Sequence, residues 1–121
     1  MHTPSETLGP VLLDGRTIRN RIDEMGVQIT RDYAGRVPHL VGILKGACIF
    51  HADLARAIDL PVSFDFIAAA SYGSGDTSSG EVRLRLDLEE SPEGRHVLLV
   101  EDIVDTGLTL HSLVRRLEAR K

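Results

Sequence analysis

The chain has 121 residues, 42% of them apolar and 26% charged, with a formal charge of −4. That is enough for one ordinary globular domain, 1–121, with one core. The acidic balance excludes the basic field of a nucleic-acid binder, and no apolar run approaches the ~20 residues of a bilayer span, so neither nucleic acid nor membrane is expected as a partner. The single cysteine, Cys48, cannot form an internal disulfide and fits a reducing, cytoplasmic setting. The polar start "MHTPSETLGP" lacks the apolar segment of a signal peptide.

Asp14 is a plausible cap for a first helix. Ile18, Ile22, Met25, Ile29 and Tyr33 follow at helical spacing, and Gly35 and Pro38 close the element. Leu40 to Leu44 is a short run, apolar on both faces, which predicts a buried parallel strand. Ala47 to Ile58 predicts a helix whose interior holds Cys48. Pro61 precedes a strand in "VSFDFIAAAS". Gly73, Gly75 and Gly80, with the serines around them, predict a mobile loop.

"EVRLRLDL" alternates without a break and predicts a half-exposed antiparallel strand with Val82, Leu84, Leu86 and Leu88 on one face. Val97 to Val100 is again apolar on both faces. Leu108, Leu110, Leu113, Val114 and Leu117 mark a final helix. The order of elements predicts an α/β domain, with ligands bound beyond the carboxyl ends of the parallel strands. After that helix a further parallel strand is expected. Its absence before Lys121 leaves an apolar sheet edge, so a truncated domain or an obligate partner is expected. The histidines show no metal-ligand spacing, and His39, His51, His96 and His111 read as surface or partly packed residues.

The stretch "VLLVEDIVDTGLTL" carries the chemistry. A strand, a turn with Gly107 and a helix leave free backbone N–H groups that form an anion cradle, and Thr106 and Thr109 add hydroxyls. Glu101 and Asp102 would repel a phosphate unless they serve another purpose. Two vicinal sugar hydroxyls, or Mg²⁺ bridging hydroxyls and phosphates, would give them one. Asp105 at the mouth of the loop could take or give a proton. Alone, an Asp-Thr-Gly triplet is more often just a helix start. The whole ordered stretch is more specific and points to a sugar-phosphate site.

These residues resemble the phosphoribosyl-pyrophosphate motif of the type I phosphoribosyltransferases. "LVGILKGACIFHADLARAI" and "DFIAAASYGSGDTSSGEV" extend the likeness to the bacterial hypoxanthine (hypoxanthine-guanine) members, from about Val11 to Lys121. The resemblance implies the family's fold: a central parallel sheet flanked by helices, with an antiparallel hairpin and a flexible loop. It implies purine salvage, the transfer of 5-phosphoribosyl from phosphoribosyl pyrophosphate to hypoxanthine or guanine, with release of pyrophosphate.

By the same resemblance, Glu101 and Asp102 hold the ribose hydroxyls directly or through Mg²⁺, and Asp105 is the general acid/base beside the purine N7. Thr106, Gly107, Leu108 and Thr109 form the 5-phosphate loop. Some relatives carry Lys where Leu108 stands, a change that leaves the backbone N–H in place. Leu44, Lys45 and Gly46 match the pyrophosphate loop, whose first peptide can be cis. Ser71 and Tyr72 begin the loop that closes over the reacting centre and keeps water out. A homo-oligomer, dimer or tetramer, is implied as well.

The family's base-reading lysine, its base-stacking aromatic and a late aspartate have no counterpart before Lys121. The chain as given is therefore expected to turn over poorly. Two other readings stand beside salvage: a phosphoribosyl-pyrophosphate-binding regulator of the same fold, and an inactive fragment. The acidic balance speaks against an RNA-binding regulator.

Overall fold

A computed structural model describes residues 8–69, 84–103 and 107–120, with backbone alone for Leu108 and Thr109. Asp14 opens helix α1 (Gly15–Asp32), its carboxylate accepting the Thr17 N–H at 2.8 Å. Ile22 is buried and Met25 and Ile29 pack around it, while Ile18 at the open end is 46% exposed. Strand β1 (Pro38–Ile43) is buried along its whole length, as a strand apolar on both faces should be, and it starts two residues earlier than predicted. Helix α2 (Cys48–Ala57), β2 (Ser63–Ala69), β3 (Leu84–Leu86), β4 (His96–Val100) and α3 (Leu108–Glu118) follow.

The sheet order is β3-β2-β1-β4. β1 pairs in parallel with β2 on one side and with β4 on the other, and β3 runs antiparallel to β2. Strand alternation sends Leu40 and Val100 to one face, with Ile22, Leu54 and Ile58 of the α1–α2 layer. Val41, Ile43 and Ile67 go to the other, with Leu88 and Leu113. Each face of the sheet therefore has its own apolar layer. The mobile loop predicted over residues 71–80 lies outside the described residues.

Four expectations need correction. His39 and His51 are not surface residues; each is 2% exposed. His51 lies on the buried stripe Ala47, His51, Leu54, Ile58 of α2, with Nε2 3.0 Å from the Leu40 carbonyl and its ring 4.7 Å from that of Phe66. Cys48 sits one position off that stripe and is exposed. The alternation of the hairpin strand fails at Leu86, 45% exposed, because β3 is a three-residue edge strand; Leu84 and Leu88 still pack. β4 is also an edge strand, so Val97, Leu98 and Leu99 are only half-buried and Val100 alone is fully enclosed.

Candidate functional site

The winding of the chain defines a crevice. From β1 the chain moves outward to β2 and β3, then returns to the opposite side of β1 as β4. The carboxyl ends of β1 and β4 thus diverge at the switch point of the sheet, where open α/β folds place their ligands. Gly42 pairs with Val100, so the residues that leave the two strands emerge side by side.

Leaving β1, Leu44, Lys45 and Gly46 form a tight turn into α2. The Leu44–Lys45 peptide is cis, as the resemblance implies it can be. The Leu44 N–H is held by the Ile67 carbonyl at 2.9 Å, and the Lys45 carbonyl accepts the Cys48 N–H at 3.1 Å. Leu44 is half-buried, whereas Lys45 and Gly46 are exposed. The N-cap position of α2 is Ala47, which has no side chain able to cap. After Cys48, the next N–H groups of that helix have no capping side chain among the described residues, and the helix dipole adds partial positive charge there.

Leaving β4, Glu101 is half-buried and Asp102 exposed. One oxygen of each carboxylate accepts the next backbone N–H: Glu101 Oε1 from Asp102 at 2.9 Å, and Asp102 Oδ1 from Ile103 at 2.6 Å. Burial holds the Glu101 carboxyl above the usual carboxylate range; the adjacent Asp102 side chain adds to this, against the lowering effect of the Asp102 N–H bond.

The two turns touch. A Cβ built on Gly46 would collide with Asp102 Oδ2 and lie 3.0 Å from its Cγ. Only a residue without a side chain lets the Asp102 carboxylate rest against this backbone. Asp102 also lines a mostly apolar cavity of about 580 Å³ between α1 and α2, with Ile18, Met25, Ile49 and Phe50.

α3 begins at Gly107, whose φ of 82° is a left-handed conformation that favours glycine. The Gly107 carbonyl accepts the His111 N–H at 2.8 Å. Gly107 offers no capping side chain, so the first N–H groups of α3 are a second set of donors suited to an anion. Leu108 and Thr109 lie in this first turn. Asp105, Thr106, Ser71 and Tyr72 lie outside the described residues.

Glu101 and Asp102 could hold a divalent cation. Among the described residues no group of three or more His, Cys, Asp or Glu side chains is gathered for a metal. Two carboxylates suit Mg²⁺, which keeps several waters and completes its shell with substrate oxygens. Sequence reasoning missed the buried Asp65 on β2, whose two oxygens accept the Phe66 and Glu89 N–H groups at 2.8 and 2.9 Å. Its sign in the sequence was an acid set between Phe64 and Phe66, on the same strand parity as the core residue Ile67.

The chain is similar to known proteins along most of its length. The family model described as "Phosphoribosyl transferase domain" matches residues 11–121. The chain is 49% identical over 116 residues to the hypoxanthine-guanine phosphoribosyltransferase of Mycobacterium bovis, covering 91% of this chain and 57% of that protein. Its similarity to the Bacillus subtilis protein of that name is 43% identity over 111 residues, covering 92% and 62%. Among solved structures, a hypoxanthine phosphoribosyltransferase from Staphylococcus aureus superimposes with a TM-score of 0.90 at 43% identity, over 100% of this chain and 66% of the other. One from Trypanosoma cruzi, solved as a mutant in a ternary substrates complex, gives 0.89 at 43%, over 96% and 67%. The chain spans 57% of the length of the first of these relatives. With a mixed sheet flanked by helices and a matching family model over nearly its whole length, the chain belongs to the phosphoribosyltransferase family and has the type I fold.

Proposed function

We propose that the crevice between β1 and β4 binds phosphoribosyl pyrophosphate with Mg²⁺, and that the whole protein transfers the 5-phosphoribosyl group to hypoxanthine or guanine in purine salvage. The observation that carries this reading is the contact of the Gly46 backbone with the Asp102 carboxylate. It gathers two kinds of recognition within the span of one small ligand. Backbone N–H groups at two helix starts suit phosphates, and carboxylate oxygens suit hydroxyls or a cation.

In this reading the Gly107–Thr109 turn, with Thr106, takes the 5-phosphate. Glu101 and Asp102 take the ribose hydroxyls, and the turn at Leu44, Lys45 and Gly46 takes the pyrophosphate. Mg²⁺ held by Glu101 and Asp102 would neutralise charge on the leaving pyrophosphate. Burial strengthens the hold of a proton on Glu101, so a cation bound there competes with that proton as pH falls. Asp105 is assigned to the proton at the purine N7, and Ser71 and Tyr72 to excluding water from the reacting sugar, both on the resemblance. A cytoplasmic setting accords with the single cysteine, which is free and exposed. A homo-oligomer, dimer or tetramer, accords with the exposed apolar residues Leu12, Leu13, Ile18 and Ile49, and sedimentation tests it.

Calorimetric titration of the protein with phosphoribosyl pyrophosphate and Mg²⁺ tests the binding. Uptake that requires Mg²⁺ and disappears in the Glu101→Gln/Asp102→Asn variant is expected. Equal uptake by the variant, or none by the parent, refutes the assignment. Transfer is followed as pyrophosphate release with hypoxanthine, guanine, xanthine and uracil in turn. Release with the first two supports salvage, and release with uracil alone refutes it.

A further inference from the structure

A second polar cluster lies at the other end of β1. His39 is 2% exposed and shares the face of Val41 and Ile43. Its Nδ1 lies 2.7 Å from Ser63 Oγ on β2. Arg95, immediately before β4, donates from Nη2 to the same oxygen at 2.9 Å and from Nη1 to Glu90 Oε2 at 2.8 Å. A guanidinium can only donate, so Ser63 Oγ accepts from Arg95 and its own hydroxyl proton is free to go to His39 Nδ1. With the hydroxyl proton given to Nδ1, the neutral ring carries its own proton on Nε2. Nε2 is buried and has no partner among the described residues.

A second ring proton would change this arrangement. It would stand on Nδ1, facing the hydroxyl proton, which must turn away. It would also put an enclosed positive charge across Ser63 from Arg95. The carboxylates that act on His39 are Asp65 on β2 and Glu90 before β4. Asp65 is engaged by the Phe66 and Glu89 N–H groups, and Glu90 by Arg95. Burial first, and Arg95 second, hold the His39 imidazole below its ordinary range against the pull of these acids.

We propose that His39, Ser63 and Arg95 form an acid-released latch tying the N-terminal ends of β1 and β2 to the segment that enters β4. The latch is closed while His39 is neutral and opens when the ring takes up a proton. This device is independent of what the crevice at the other end of the sheet binds.

The sign follows from linkage. His39 binds its proton more weakly in the folded protein than in the unfolded chain, whose histidines titrate near 6.5. The latch is therefore fully effective above that pH and weakens as pH falls below it. The loss in the folding constant reaches at most about tenfold per pH unit for one proton.

Two measurements test this. The first is urea unfolding of the parent and of His39→Leu between pH 8 and pH 5. The ratio of their folding constants is expected to hold steady above about pH 6.5 and fall below it; a flat ratio overturns the proposal. The second is NMR of the histidine rings in the parent protein, which decides the matter should His39→Leu fail to fold. The Nε2–H tautomer at neutral pH is expected, with a His39 midpoint below the 6.5 of an unfolded-chain histidine. The Nδ1–H tautomer, or a His39 midpoint at or above 6.5, overturns it.

Discussion

Gly46→Ala puts one methyl group between the two turns of the crevice. The φ of Gly46 lies outside the left-handed region, so alanine adds no backbone strain and the contact with Asp102 dominates. The turn backbone is tied at the Leu44 N–H and the Lys45 carbonyl, whereas Asp102 is an exposed side chain. The carboxylate should therefore move, and rotating it away breaks its 2.6 Å bond from the Ile103 N–H. A hydrogen bond to a charged acceptor contributes about 1.5–3 kcal/mol, and water takes over most of it at this exposed carboxylate. We expect Gly46→Ala to lower stability by no more than about 1 kcal/mol by urea unfolding. Uptake of phosphoribosyl pyrophosphate with Mg²⁺ should suffer more, by roughly 1–3 kcal/mol or about 5- to 150-fold in Kd, because the displaced group is the one assigned to the sugar and cation. Asp102→Ala removes the atoms that the methyl group meets. In that background Gly46→Ala should have little further effect on either quantity. Equal effects of Gly46→Ala with and without Asp102 would refute the contact as the cause.

Other outcomes follow from the same structure. The raised pKa of Glu101 means that the folded protein holds this proton more tightly than the unfolded chain does. The stability of the parent relative to Glu101→Gln should fall as pH rises from about 4.5 through the raised value, and parallel unfolding curves would contradict this. Asp65→Ala leaves the Phe66 and Glu89 N–H groups without their acceptor and should cost about 2 kcal/mol, with Asp65→Asn costing less because one oxygen remains; urea unfolding reads both. A Cβ on Gly26 would collide with the Ala57 carbonyl oxygen where α1 crosses the end of α2. Gly26→Ala should therefore destabilise by about 1 kcal/mol in thermal or urea unfolding, despite a helix-propensity gain of similar size, and a rise in stability would rule out so close an approach.

The order of helices and strands was legible because each element carries its own period. Asp14 caps where its position before the apolar stripe says it should, and β1 is enclosed on both faces as its unbroken apolar run demands. What the sequence hid depends on contacts across the fold. A histidine in a helix reads as polar, yet His51 is buried because β1 places Gly42 beneath its ring and the Leu40 carbonyl within reach of Nε2. His39 needs Ser63, and Asp65 needs Glu89, each 24 residues away. No local pattern announces partners at that distance. Leu86 matched its alternating pattern and still faces out, because an edge position is a property of the sheet and not of the strand.

The candidate site divides along the same line. Glu101, Asp102 and Gly107 stand out as a local run, but nothing in that run says that Lys45 and Gly46 lie beside them. Chain order alone would set β1 beside β2, with β4 far away. Only the return of the chain to the opposite side of β1 brings the ends of β1 and β4 together. That topology also resolves the crowding of the acids. The starts of α2 and α3 each present N–H groups without a capping side chain among the described residues. The partial positive charge at the start of α2 lies close to Asp102, across the Gly46 contact, and offsets part of the repulsion between the acids. The free protein can therefore keep Glu101 and Asp102 together, at the cost of a Glu101 proton that leaves reluctantly. A ligand that brings phosphates to the helix starts and hydroxyls or a cation to the acids satisfies both sets at once. A bare phosphate satisfies only one, so inorganic phosphate should bind far more weakly than phosphoribosyl pyrophosphate with Mg²⁺. Comparable affinities would show that the acids take no part.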